Sequence, residues 1–208
     1  MVKRPPEAAA ARGPGRPASG ARERVLEAGF EVLKEEGFAG LTTAKVAARS
    51  GQNKALISYH FGSKQGLVAA VGREVRDSIT AEVLGGMGEP TTVEEVVRGL
   101  LDGLWRVIDE DPRLTRLYFD LSAVSVVERD VRTVMREMKT GWQEVTAQML
   151  LSAGDGPSSP AAAEAGIVLV MAGVEGLALE RLERGETAAL RRACELFVGS
   201  ASAAIRGA

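Results

Sequence analysis

The chain has 208 residues, of which 45 % are hydrophobic and 26 % are charged. This is the composition of a globular protein with a packed core, and it excludes a largely disordered or fibrous chain. The single cysteine, Cys194, excludes an intramolecular disulfide, and the net charge of −2 argues against a uniformly basic nucleic-acid binder.

Charge is unevenly distributed along the chain. Residues 1–76 carry 13 basic and 7 acidic side chains, whereas residues 77–208 carry 13 basic and 21 acidic ones. No acidic residue lies between Gly37 and Arg73. A basic first third joined to an acidic body is expected if only the first third contacts phosphate groups, and chance clustering is the alternative.

The first segment, residues 1–20, is rich in proline, glycine, alanine and basic side chains, and it is predicted to be a disordered basic arm. The sequence PGRP around Arg16 is similar to the core of minor-groove AT-hook segments, although it lacks their first arginine. The arm either enters a minor groove through Arg16 or is a tail without a function. It has no apolar stretch of the kind found in signal peptides, so we expect a cytoplasmic protein.

Four helices are predicted after the arm, because apolar residues recur at helical spacing and no segment alternates as a strand does. Thr42 or Thr43 is the expected N-cap of the second helix, Asn53 that of the third and Ser63 that of the fourth. The predicted ranges are about 19–36, 43–51, 53–61 and 63–84. Short helices separated by a turn at Gly51 are typical of a helix-turn-helix.

Five more helices are predicted after the linker GGMGEP at 85–90, which makes nine helices and no sheet. Thr91 and Thr92 are each followed three residues later by glutamate, a pattern that indicates a capping box. The predicted ranges are about 92–110, 112–119, 130–151, 161–184 and 187–205. The apolar run 166–179 carries Glu175 and is too short to span a bilayer comfortably, so no membrane partner is expected.

The sequence LTTAKVAARSGQNKALISYHFGSKQGL at 41–67 resembles the DNA-binding signature of the TetR family of bacterial transcriptional repressors. The resemblance begins with RVLEAGFEVLKEEGFAGLTT and covers about residues 22–70. It implies an all-α, two-domain architecture. Residues 21–66 would form a three-helix DNA-binding domain, with NKALISYHF as recognition helix, and residues 67–208 a ligand-binding and dimerisation domain of six helices.

The recognition helix must present side chains to a major groove about 12 Å wide. Lys54 suits guanine or a phosphate and Ala55 a thymine methyl, whereas Leu56, Ile57 and Phe61 are expected in the core. The predicted DNA contacts are Thr43, Lys45, Lys54, Ala55, Ser58, Tyr59, His60 and Lys64, with Arg16 in the arm.

Each contact outside the groove has an alternative. Thr43 is alternatively a plain N-cap and Lys45 part of a solvated face, while His60 either caps last-turn carbonyls or reaches a phosphate. The family commonly has tyrosine where this chain has Ser58 and a small aliphatic residue where it has Gln52, so the operator sequence is not implied.

Catalysis is not expected. A nucleophilic pair would need Cys194 beside His60, and the apolar neighbours of Cys194 favour a packed thiol. The sequence has no cluster with metal-ligand spacing and no GxxxxGK[ST] loop, so no metal and no cofactor is expected.

The resemblance implies a homodimer, because a pseudo-palindromic operator needs two recognition helices. The stretch AGIVLVMAGVEGLALERL is apolar nearly all round and must be covered on both sides, by its own domain and by a partner. The predicted dimer contacts on the last two helices are Val170, Val174, Leu177 and Phe197.

A small-molecule pocket is implied as well, on the helices that surround the pocket of the family. Its predicted lining is Trp105, Tyr118, Phe119, Met135, Met138, Trp142 and Met171, with Glu175 as a polar anchor. Each of these is alternatively a core residue, and Glu175 could instead bond across the dimer. Such a pocket suits an apolar or amphipathic effector.

The implied function is a repressor that an effector releases from its operator DNA through a tilt of the fourth helix. A helical binding protein without a DNA function is the alternative, and activation of transcription stays open.

Overall fold

The computed structural model describes residues 20–207, and this part of the chain forms nine helices and no strand. The all-α class predicted from the sequence is therefore confirmed. The helices are α1 (Ala21–Gly40), α2 (Thr43–Ser50), α3 (Lys54–Phe61), α4 (Lys64–Gly85), α5 (Val93–Glu110), α6 (Pro112–Val127), α7 (Arg129–Ser152), α8 (Pro160–Arg184) and α9 (Ala188–Arg206).

Side-chain caps fix the starts of most helices, which is why their starts could be read from the sequence. The Asn53 side chain accepts the Leu56 N–H at 2.8 Å, and the Ser63 hydroxyl accepts the Gly66 N–H at 3.1 Å. Thr92 and Glu95 form a complete capping box at α5. At α2 the N-cap is Thr42, so the alternative that placed Thr43 there was wrong.

Two helices are longer than predicted. The first passes the expected stop at Gly37 and ends at Gly40, with a kink where Gly37 takes φ +69°. Beyond the kink, the Phe38 N–H donates to the Asp120 carboxylate of α6 at 2.8 Å, so a distant side chain holds the last turn in place. The second is α6, which continues from the predicted 112–119 to Val127.

One core cluster joins the first three helices to α4, α5, α6 and α7. Ile57 of α3 is 1 % exposed and Leu67 of α4 is fully buried, and both belong to the cluster that contains Leu121 of α6 and Met138 of α7. The predicted domain boundary at 66/67 falls near the start of α4. This helix contacts α1 and α3, which precede the boundary, and α5 and α7, which follow it. The division into 21–66 and 67–208 stays a prediction.

A second core cluster joins α5, α7, α8 and α9. Helices α8 and α9 pack closely because Gly173 leaves room for the Phe197 ring and Gly166 leaves room for Ile205. A Cβ atom at either glycine would overlap that neighbour. Cys194 of α9 lies in this second cluster, whereas His60 is on α3, so the two do not form a catalytic pair.

Helix α8 is longer than the apolar run 166–179 that was judged too short to span a bilayer. By length and composition alone it is the one helix in the described part of the chain that could cross a membrane. Only 22 % of its most apolar stretch is buried in the protomer, so most of that stretch lacks a covering within a single chain.

Candidate DNA-binding surface and ligand cavity

The recognition helix α3 has one outward side and one buried side. Lys54, Ala55, Ser58 and Tyr59 are exposed, and Tyr59 is 74 % exposed, whereas Ile57 is fixed in the core. Leu56 and Phe61 are half-buried. The side chains predicted to face a DNA groove are thus those that face solvent, on a helix short enough to lie in a groove.

Helix α2 is tied to the end of α1 by two ion pairs. Lys45 pairs with Glu36, and the Arg49 guanidinium donates two hydrogen bonds to Glu35 at 2.5 and 2.7 Å. The hydrogen bond from Arg49 lowers the pKa of the Glu35 carboxyl. Lys45 is therefore paired within the chain, and its contact with DNA stays a prediction. The glutamates at 35 and 36 were the sequence signal for these ion pairs.

The starts of α2 and α4 supply backbone N–H groups of the kind that hold phosphates. Thr43 is the first residue of α2 and Lys64 is the first residue of α4. The Lys64 ammonium lies 4.9 Å from the centre of the Phe38 ring, which holds it beside the end of α1. Within residues 20–207, Lys54 forms no ion pair, so its charge is available to a ligand.

His60 does not cap the end of α3 through its Nε2 atom, which is buried and has no hydrogen-bond partner among the described residues. The helix closes instead with the Gly62 N–H donating to the Ser58 carbonyl at 2.8 Å. The ring packs edge-on against Tyr59 and Phe61. Arg16 of the arm lies outside the described residues.

The two residues considered for catalysis, Cys194 and His60, lie in different parts of the fold. No group of three or more His, Cys, Asp or Glu side chains in residues 20–207 is placed to hold a metal ion. Burial raises the pKa of the Cys194 thiol, which disfavours the nucleophilic thiolate.

A cavity opens among α4, α5, α6, α7 and α8, and the space between its lining atoms, including the mouth, is about 720 Å³. Five side chains predicted for a pocket line it. Eleven lining residues were not predicted for a pocket, and on α4 they recur at helical spacing, which was the available signal. The predicted ones are Tyr118, Phe119, Trp142, Met171 and Glu175. The others are Ile79, Thr80, Val83, Leu84, Leu100, Leu104, Thr115, Val145, Thr146, Val170 and Val174.

Three predicted pocket residues lie elsewhere. Met135 and Met138 are 3 % and 0 % exposed and pack in the first core cluster. Trp105 faces the other way, with the Arg181 guanidinium 4.9 Å from its ring centre. All three side chains pack outside this cavity. Their positions could not be predicted, because helical spacing does not say which of two cores a side chain enters.

The cavity has one charged group among apolar walls. Glu175 accepts a hydrogen bond from the Tyr118 hydroxyl at 2.7 Å and pairs with the Lys139 ammonium at 3.0 Å. Burial, and then the charge of Glu175, raises the pKa of Tyr118 far above its ordinary value, so the phenol stays a donor. Trp142 donates its indole N–H to the Thr80 hydroxyl at 2.8 Å.

The residues predicted for the dimer interface point mostly into the protomer. Val170 is 1 % exposed, and Val170 and Val174 both line the cavity. Leu177 and Phe197 are half-buried against the second core cluster. The exposed apolar surface of the last two helices, called here the α8–α9 face, instead comprises Val168, Leu169, Leu179 and Leu196.

Part of the chain matches a known protein family. Residues 25–71 match the family model described as bacterial regulatory proteins, tetR family. Among curated proteins, the chain is 24 % identical over 119 residues to the HTH-type transcriptional regulator BetI 1 of Chromohalobacter salexigens, a match that covers 55 % of this chain and 57 % of that protein. The chain thus spans little more than half the length of that curated relative.

Solved structures show the same fold over nearly the whole chain. A TetR-family transcriptional regulator from Rhodococcus sp. has a TM-score of 0.74 and 23 % identity, covering 90 % of this chain and 99 % of that one. The multidrug binding protein EbrR in complex with proflavin has a TM-score of 0.64 and 22 % identity, covering 86 % and 98 %. At such identities the likeness shows the fold alone.

The matched family model and the curated relative are named as regulators, which supports the expectation that the chain is not an enzyme. The match to the family model at 25–71 contains the whole signature at 41–67, and α3 with its exposed side lies within it. Residues 25–71 therefore match the tetR family of bacterial regulatory proteins, and the chain has the fold of solved TetR-family structures.

Proposed function

We propose that the protein is a cytoplasmic, homodimeric transcriptional repressor that binds a pseudo-palindromic DNA operator and is released from it by a small-molecule effector. The observation that carries the proposal is the outward side of α3, where Lys54, Ala55, Ser58 and Tyr59 are exposed on a helix anchored by Ile57. These side chains provide a cation, a methyl group, a hydroxyl and a phenol, which suit base edges and phosphates.

The α8–α9 face supports the dimer. Leu196 is 71 % exposed and Val168 is 56 % exposed, which leaves large aliphatic side chains in water in the monomer. Burying them against the same face of a second protomer stabilises the pair by about 25 cal/mol per Å² of apolar surface. A two-fold axis through this face gives a four-helix bundle and the two recognition helices that a pseudo-palindrome needs.

The position of the cavity supports an effector. Helix α4 begins beside the recognition helix, and its C-terminal half lines the cavity through Ile79 and Val83. Helix α6 lines it through Thr115 and Tyr118 and also holds the end of α1 through Asp120. A ligand that favours another position of α4 and α6 lowers the population with correctly spaced recognition helices.

A mobility-shift assay tests the DNA function. The purified chain is expected to retard DNA taken from upstream of its own and neighbouring genes, in preference to random DNA at moderate salt. A shift that random competitor removes equally well would contradict sequence-specific binding.

Alanine variants of the recognition helix test the assignment of residues. We expect Lys54→Ala and Tyr59→Ala each to weaken operator binding by about 1–3 kcal/mol, or roughly five- to 150-fold, without loss of thermal stability, because both side chains are exposed. Arg136→Ala on α7 is the control, since it removes an exposed cation from the body of the protein. Operator affinity unchanged in both α3 variants would overturn the assignment.

A further inference from the structure

The cavity is apolar apart from a few polar groups, and most of those already have partners. The Thr80 hydroxyl donates to the Arg76 carbonyl and accepts from the Trp142 indole. Thr115 Oγ1 is buried and has no partner among residues 20–207, so it is a neutral group that a ligand could bond. Glu175 is the single charged residue in the wall of the described cavity. Glu175 is therefore the residue that determines which ligand charge this cavity prefers.

The two partners of Glu175 are not held equally firmly. The Tyr118 hydroxyl comes from a residue that is only 4 % exposed, and its bond to Glu175 spans α6 to α8. Lys139 comes from α7 and does not line the cavity, and its side chain is 42 % exposed. The ammonium regains full hydration by a rotation into solvent, whereas the phenol has no such alternative.

This asymmetry decides which ligand charge is tolerated. A cation that displaces Lys139 restores the ion pair with Glu175 and leaves the Tyr118 bond intact. An anion that paired with Lys139 would have to displace Glu175, which would leave the buried Tyr118 hydroxyl unpaired and place two negative charges together. A ligand cation can therefore replace the Lys139 ammonium beside Glu175, whereas a ligand anion cannot readily replace Glu175 beside Lys139.

Aromatic rings next to Glu175 favour a flat cation. The Tyr118 and Trp142 ring centres lie 5.2 Å apart, and those of Tyr118 and Phe119 lie 5.4 Å apart. The Lys139 ammonium is 6.0 Å from the centre of the Tyr118 ring, so the face of that ring is already near a positive charge. Ring faces attract cations, and flat ligands stack on them.

We propose that the cavity binds a flat organic monocation, whose charge replaces the Lys139 ammonium beside Glu175. This inference rests on the proposed function, because it names the chemical class of the effector. Lys139 then acts as a built-in competitor that occupies the cation position when no ligand is bound.

Three fused-ring probes of similar size and different charge test the proposal on the purified full-length chain. They are the cation N-methylacridinium, acridine at mildly alkaline pH, where it is uncharged, and the anion anthracene-9-carboxylate. Titration calorimetry and quenching of tryptophan fluorescence give their affinities. We expect the cation to bind about tenfold more tightly than acridine, and the carboxylate to bind most weakly.

Variants of the two charged residues make the test specific. Glu175→Gln keeps an acceptor for Tyr118 and removes the charge, so N-methylacridinium is expected to fall to the affinity of acridine. Lys139→Met removes the competitor and is expected to tighten N-methylacridinium about two- to fivefold, the worth of a half-exposed ion pair, with acridine unchanged. Arg136→Met on the same helix is the matched control, because Arg136 is exposed and is expected to leave all three affinities unchanged.

Several outcomes would overturn the proposal. These are equal affinities for the three probes, a preference for the carboxylate, no binding of any probe, or weaker cation binding in Lys139→Met. Thermal unfolding of each variant shows that its fold is retained. Operator binding without probe is measured on the same samples, so a failed repressor with an intact charge preference is distinguished from a working repressor whose cavity has no such preference.

Discussion

Single residues decide how closely the helices approach one another, and Gly72 is such a position. It lies where α4 crosses α7, and a Cβ atom there would overlap the Val134 side chain. Gly141 on α7 sits in a looser place, where a Cβ atom would meet the Arg76 side chain at an ordinary 3.5 Å. Alanine favours a helix over glycine at both positions, so only local packing separates them.

We therefore expect Gly72→Ala to destabilise the protein by about 1–3 kcal/mol through overpacking against Val134. Gly141→Ala is the control, and it is expected to be neutral or to stabilise by up to about 1 kcal/mol. Urea unfolding of the two variants measures the difference. Equal midpoints would show that the crossing of α4 and α7 has room that the structure does not indicate.

At the scale of elements, α6, like α4, contacts both the cavity and the DNA-binding helices. The Phe38 N–H of α1 donates to Asp120, and Lys34 of α1 pairs with Asp111 at 2.9 Å. Both acceptors belong to α6 or its N-cap, while Tyr118 of the same helix lines the cavity. We expect a displacement of α6 by a ligand to be passed to α1 through these two polar contacts.

We expect Asp120→Ala to reduce the effect of an effector on operator affinity severalfold, while operator affinity without effector changes less. The reason is that α1 loses one of its two polar contacts with α6, and coupling energies of 1–3 kcal/mol are typical. Asp120→Asn is the control, because its amide oxygen still accepts the Phe38 N–H. Operator binding with and without N-methylacridinium measures the coupling, and an unchanged ratio in Asp120→Ala would exclude this route.

Helix starts were predictable because capping residues act locally, as Asn53 and Ser63 do. The end of α1 was not, because it depends on Asp120, a residue 82 positions away. The side on which a residue points was predictable for α3, with its single apolar side, and not for α8, which is apolar nearly all round. Val170 therefore turned out to face the protein interior, although a partner surface was predicted.

At the scale of the whole molecule, the proposed dimer depends on the α8–α9 face. We expect Leu196→Arg to convert the protein to a monomer and to weaken operator binding at least tenfold, because it places like charges opposite each other across the two-fold axis. Leu196 is 71 % exposed in the protomer, so the substitution is expected to cost the protomer little stability. Sedimentation velocity measures the oligomeric state, and the mobility-shift assay measures operator affinity.

Val127→Arg is the matched control for this test. Val127 is 78 % exposed and lies at the end of α6, on neither of the two helices that form the α8–α9 face. It is expected to leave both the oligomeric state and operator affinity unchanged. A dimer that persists in Leu196→Arg would place the interface on another surface.

The ion pairs of α2 have a consequence for the thermodynamics of DNA binding. Of the five basic residues in the acid-free stretch, Lys45 and Arg49 already neutralise glutamates of α1, and Arg73 lies 3.8 Å from Glu137. Each phosphate that a protein neutralises releases counterions and adds about 0.9 to the slope of log affinity against log salt. In residues 20–207, only Lys54 and Lys64 of that stretch are left to contribute from each protomer, so the dependence of operator binding on salt is expected to be shallower than the number of basic residues implies.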